Sequence, residues 1–160
     1  MFRLQRQELL RERAFIGGVW IGDPERPVAN PATDAVVGHV PHLDGQASQA
    51  AIRAAVAAFR GWAGQSAFAR ADLLKRWFQL IMKHQEDLAS ILTAEQGKPL
   101  RKARAEIEYA ARYVEYYGEE AKRIYGETVP SPFPDSRILV LRQPVALSRQ
   151  LHRGIFRRPW

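Results

Sequence analysis

Apolar residues along this chain switch between two spacings, and the switches mark its elements. Phe15, Ile16, Val19, Trp20 and Ile21 flank Gly17-Gly18, a pair suited to the tight turn of a hairpin. Val36 to Val40 is a second extended stretch, introduced by Asn30-Pro31 and Asp34 and stopped by Pro41. Both read as strands of a small N-terminal sheet or hairpin. From Asp44 the spacing lengthens: Ala47, Ala51, Ile52, Ala55, Val56, Phe59 and Trp62 recur every three or four residues, the mark of one buried helix face, and Gly61 and Gly64 close it. A second helical pattern from about Ala67 carries Leu73, Leu74, Trp77, Phe78, Leu80 and Ile81, with a continuation bearing Leu88, Ile91 and Leu92 that Gly97 breaks. Pro99 fits the first turn of the longest helix, which places Ile107, Ala110, Ala111, Val114, Ala121 and Ile124 inside before Gly126 stops it. The first thirteen residues mix Arg, Leu and Glu and can begin a short helix.

Beyond a connector holding Pro130, Pro132 and Pro134, Ile138 to Leu141 reads as one more strand, ended by Pro144. That strand has no evident partner in the chain, and an unpaired edge calls for a missing remainder or another subunit. The pattern is mostly helical, with an N-terminal β-hairpin and a C-terminal strand.

Composition narrows the class. A chain of 160 residues that is 46% hydrophobic can build one modest core. It has no apolar run of membrane-spanning length and no secretory leader, so a cytoplasmic protein without membrane partners is expected. With no cysteine, thiolate nucleophiles, disulfides and thiolate zinc sites are excluded. The net charge of +7 raises the alternative of a small basic nucleic-acid-binding protein. However, residues 146–160 hold Arg149, Arg153, Arg157 and Arg158 and no acid, and without them 20 basic residues face 17 acidic ones. The basic character is largely a property of the tail, and no nucleic-acid partner is expected.

Independent chemistry is sparse. His39 and His42 flank Pro41 without a third ligand nearby, His84 and His152 stand alone, and no metal site is expected. Glu106 and Glu108, and Glu119 and Glu120, lie on a helix rich in Lys and Arg, which suits a solvated face with ion pairs better than acid–base catalysis. Neither G-x-G-x-x-G nor G-x-x-x-x-G-K occurs. Tyr109, Tyr113 and Tyr116 recur at helical spacing, a stripe fit for core or interface packing, or for a half-buried pocket wall.

Several segments in order carry a resemblance. Phe15-Ile16-Gly17-Gly18-Val19-Trp20 and Val28-Ala29-Asn30-Pro31-Ala32-Thr33 look like the opening of aldehyde dehydrogenases. Thr93-Ala94-Glu95-Gln96-Gly97-Lys98-Pro99-Leu100 is similar to that family's next signature. Glu106-Ile107-Glu108-Tyr109 and the run from Glu119 through Gly126 to Pro130 resemble its succinate-semialdehyde branch. The resemblance covers about the first third of a family chain. It implies an α/β fold of which this chain lacks the Rossmann-like core and the catalytic domain. It also implies NAD or NADP as cofactor of the intact enzyme and homo-oligomers joined through an arm that includes residues 138–141. Tyr109 is implied to be a wall of the substrate tunnel. The family's thiolate attack on the aldehyde needs a cysteine. No catalytic or cofactor-binding residue is therefore expected here, no tight cofactor binding, and no activity in this form. Aggregation, or pairing with a full-length relative, is the expected fate of its unpartnered apolar faces.

Residues 1–145 thus read as the N-terminal part of an aldehyde dehydrogenase domain, and 146–160 as a basic tail foreign to it. A one-nucleotide frameshift accounts for the tail. Synonymous codons exist for Val145 to Trp160 that, with one G restored after the first, read V-G-V-V-A-A-I-T-P-W-N-F-P-A-A-M, the family's own continuation.

Overall fold

The computed structural model describes residues 4–144. Two antiparallel ribbons come first. In one, β1 (Ala14–Ile16) pairs with β2 (Val19–Ile21), so that Phe15 faces Trp20 with ring centroids 5.0 Å apart. Gly17 and Gly18 both take positive φ (59° and 90°), as the primed turn that suits strand twist demands. In the other, β3 (Pro24–Ala29) pairs with β4 (Val36–Pro41). The stretch around Val36 is therefore a strand, but of a separate ribbon. Its partner holds Pro24 and Pro27, which cannot donate to a ladder, and a two-stranded ribbon tolerates them because each strand has a free edge. The ribbon's turn is closed locally: the Asn30 side-chain oxygen accepts from Ala32 N–H (2.9 Å), and the Asn30 carbonyl accepts from Asp34 N–H (2.8 Å).

Four helices follow: α1 (Gly45–Ala63), α2 (Ala67–Lys83), α3 (Gln85–Gln96) and α4 (Leu100–Glu120). Asp44 and Ser66 cap the first two, accepting from Ala47 N–H (3.0 Å) and Ala69 N–H (3.1 Å). The chain turns at His84, so the continuation carrying Leu88 to Leu92 is a helix of its own. Gly97 ends it with φ 67°, and a Cβ there would stand 2.8 Å from Pro31 Cγ. Both its conformation and the close approach of the β3–β4 turn require glycine.

α4 is the central helix, packed along α2 and α3. Its buried positions are small, Ala103, Ala111 and Gly118, and they lie on the helix that packs along a pair whose buried apolar members are Ala71, Ala89 and Ala94. Small residues let the axes approach closely. Arg104 reinforces the α3–α4 contact by gripping Glu86 with Nε (2.8 Å) and Nη2 (2.7 Å), while the Gln85 amide donates to the Arg104 carbonyl (3.1 Å).

The structure corrects several sequence expectations. Among the described residues before β1 the one helical element is a 3-10 turn, Gln7–Leu9, because the backbone N–H groups of Gln5 and Arg6 are taken by the Asp87 carboxylate (2.8 and 3.0 Å). The strand Ile138–Val140 (β6) does have a partner in the chain: it pairs antiparallel with β5 (Glu127–Val129). Three residues ending in Val129 before a proline-rich connector were too short to stand out as a strand. The apolar stripe of α1 is not buried, since Ile52, Val56 and Trp62 stay 51%, 58% and 44% exposed. Ala110 and Ile124, expected inside, are also exposed, Ile124 because α4 gives way to a 3-10 turn at Ala121–Arg123. Residues 146–160, with His152 and four arginines, lie outside the described residues.

Candidate functional site

Two groupings of side chains form candidate surfaces for chemistry or recognition. The first is the tyrosine stripe of α4. Tyr109 and Tyr113 stack edge to face with centroids 5.0 Å apart, and their hydroxyls share a hydrogen bond of 2.8 Å. That bond holds the Tyr113 phenol above its ordinary range, because the pair needs a protonated hydroxyl to donate. Tyr116 and Tyr117 form a second edge-to-face pair at 5.3 Å. All four are exposed, so within the described residues the stripe is a presented surface and not core.

The second grouping lies where the β3–β4 turn meets the end of α3. Gly97 touches Pro31, which joins the Asn30-Pro31-Ala32-Thr33 segment to the Glu95-Gln96-Gly97-Lys98-Pro99 segment. Beside this junction opens a cavity of about 450 Å³ lined by Asn30, Thr33, Val36, Ser90, Thr93 and Leu100. The Thr93 hydroxyl is buried there without a hydrogen-bond partner. Glu95, half-buried at the same corner, is pushed above the usual carboxylate range by desolvation. Lys98 pairs with Glu106 across the corner and so ties the start of α4 to its second turn.

The remaining candidates fall apart in space. His39 Nδ1 sits 3.5 Å from Glu12, whose carboxylate also accepts the His39 backbone N–H at 2.7 Å. His84 faces Arg6 at 3.3 Å. Of the acidic pairs on α4, Glu108 meets Arg112, Glu119 meets Lys122 and Glu120 meets Arg123, each three or four residues along. These are solvated ion pairs of the kind expected. The residue that sequence reasoning missed is Asp87, 5% exposed, which clamps the N-terminal segment onto α3. An Asp in a helix's first turn is a common sequence feature, and nothing in the pattern distinguishes a tertiary acceptor from a helix-end charge.

A model of the aldehyde dehydrogenase family matches residues 20–151. The chain belongs to the aldehyde dehydrogenase family. It is 44% identical over 147 residues to succinate semialdehyde dehydrogenase of Acinetobacter baylyi, covering 90% of this chain and 30% of that one. With glutarate-semialdehyde dehydrogenase of Pseudomonas aeruginosa it shares 43% identity over 149 residues, 91% of this chain and 31% of the other. Among solved structures, an aldehyde dehydrogenase from Brucella melitensis biovar abortus superposes with a TM-score of 0.87 at 42% identity, over 90% of this chain and 30% of its own. Betaine aldehyde dehydrogenase from Staphylococcus aureus, solved in complex with NAD+, superposes with a TM-score of 0.80 at 27% identity, over 86% and 28%. The chain therefore spans about 30% of the length of the curated relatives it matches. None of these comparisons supports the nucleic-acid-binding alternative.

The described strands of this aldehyde dehydrogenase chain form three separate two-stranded antiparallel ribbons, and none of them is a parallel sheet of the kind whose strand ends open a nucleotide crevice.

Proposed function

We propose that this chain is the N-terminal part of an NAD(P)-dependent dehydrogenase that oxidises succinate semialdehyde, or a similar aldehyde, to the acid. The 44% identity to a succinate semialdehyde dehydrogenase across 90% of the chain carries this reading. Junction of the Asn30-Pro31 and Gly97-Lys98-Pro99 segments at one corner supports it, since separated signature segments converge on a common packing site. Its part in the reaction is structural and positional. The Tyr109–Tyr113 pair offers an amphipathic wall to the substrate path, with ring faces toward the aliphatic chain and hydroxyls toward its polar end. The β5–β6 ribbon, exposed along Ile138, Leu139 and Val140, is the arm through which intact subunits pair.

The 160 residues contain no thiol for the nucleophilic step, so the isolated chain is inactive. Residues 146–160 are a frameshifted tail, and the coding DNA decides this directly: an adjacent frame without a family-like continuation refutes it. The function is tested by grafting residues 4–144 into the Acinetobacter enzyme in place of the matching segment. The graft is expected to reduce NAD(P) with succinate semialdehyde while the isolated chain does not. A folded graft that is inactive on semialdehydes, or turnover by the isolated chain, overturns the proposal.

A further inference from the structure

Lys102, Tyr109 and Tyr116 follow one another at intervals of seven residues along α4, so they stand on one face of the helix, with Glu106, Tyr113 and Glu120 beside them. Lys102 and the three tyrosines are exposed. The face thus carries an ammonium about 10 Å along the helix axis from the Tyr109 wall.

The charges on this face do not cancel. Glu106, one turn along from Lys102 and within reach of it as an i,i+4 partner, is taken instead by Lys98. Glu120, at the far end of the face, is held by Arg123. Of the basic residues elsewhere on α4, Arg104 grips Glu86, and Arg112 lies between Glu108 and Glu115. Among the described residues no carboxylate stands within ion-pair distance of Lys102, so its charge is the uncompensated one on the tyrosine face.

An uncompensated ammonium on an exposed face attracts anions over roughly a Debye length, ~10 Å at 0.1 M salt. A semialdehyde acid carries its reacting carbonyl at one end and a carboxylate at the other, whereas a plain aldehyde of the same length carries no charge. We infer that Lys102 sets specificity at the tyrosine wall: its ammonium draws in the carboxylate end of an anionic aldehyde, and the face therefore favours semialdehyde acids over neutral aldehydes. The inference rests on the dehydrogenase reading above and assigns the choice of substrate class to one residue, acting on capture and not on the chemical step.

The test is steady-state kinetics of residues 4–144 grafted into the Acinetobacter enzyme, with succinate semialdehyde and with butanal as its neutral counterpart. At low salt Lys102→Gln should raise KM for succinate semialdehyde about twofold, the effect of one charge across ~10 Å of water, and Lys102→Glu about fourfold. Neither variant should change kcat, or either constant for butanal. In about 1 M salt, where the Debye length is ~3 Å, parent and variants should converge. Arg53→Gln, which removes an exposed charge from α1, should leave both substrates unaffected. Equal KM for the parent and Lys102→Glu at low salt, an equal rise for butanal, a fall in kcat alone, or a rise that persists in high salt overturns the inference and leaves the dehydrogenase reading standing. An inactive graft overturns both.

Discussion

Tyr109 and Tyr113 show how much a single hydrogen bond says about a surface. Two phenols four residues apart on a helix meet edge to face, and one must donate to the other. Tyr109→Phe removes the acceptor, so the Tyr113 phenol should titrate closer to its ordinary value. An ultraviolet pH titration of the variant is expected to show one of its four remaining tyrosines ionising at lower pH than in the parent chain, with helicity unchanged. Glu95 makes a pH prediction of opposite consequence for stability. Its folded-state pKa is raised by desolvation, so the folded state binds the proton more readily than the unfolded one. Stability from this group is therefore present at acid pH, is lost as pH rises from 4.5 upward through the raised value, and stays lost at neutral pH. Glu95→Gln should stabilise the chain at pH 7 and leave it unchanged well below pH 4.5, measured as resistance to urea at the two pH values. Equal effects at both would mean that burial is not the cause.

Among elements, the α2–α3–α4 unit is joined by side chains that differ in how visible they are in sequence. Helix spacing, the Asp44 and Ser66 caps and the Gly97 stop are local properties, set by backbone groups within one turn. The Asp87 clamp is not, because its partners lie more than eighty positions earlier in the chain. Asp87→Ala deprives two backbone N–H groups of a charged acceptor. Hydrogen bonds to charged groups contribute about 1.5–3 kcal/mol, which corresponds to roughly ten- to hundredfold. The amides of Gln5 and Arg6 should exchange faster by that factor, and proteolysis near residues 4–13 should accelerate, while α4 amides keep their protection. The β5–β6 pairing was hidden for a related reason: a three-residue strand leaves too little alternation to read, and only its antiparallel partner defines it.

For the molecule as a whole, the inventory of buried side chains governs behaviour. The buried hydrophobic residues of the described chain are Leu4 and five alanines, whereas Trp62, Trp77, Phe68 and Leu80 are each more than two-fifths exposed. Alanine burial removes little apolar area from water, and the large side chains that carry most of the hydrophobic free energy are left outside. Urea should therefore unfold the isolated chain over a broad range with a shallow slope, and a dye for apolar surface should bind it without denaturant. A sharp transition without dye binding would contradict this.

Family membership, the starts of α1 and α2, the Gly97 stop and the absence of a nucleophilic thiol were all decided by the sequence itself, because each depends on residue identity or on spacing within a turn or two. Which apolar faces are covered was decided only by the tertiary structure. Spacing shows that Ile52, Val56 and Trp62 share one side of α1, but whether that side is core depends on what packs against it. In this chain α1 touches little beyond the β1 hairpin, so the same amphipathic pattern that usually marks a core here marks an open surface.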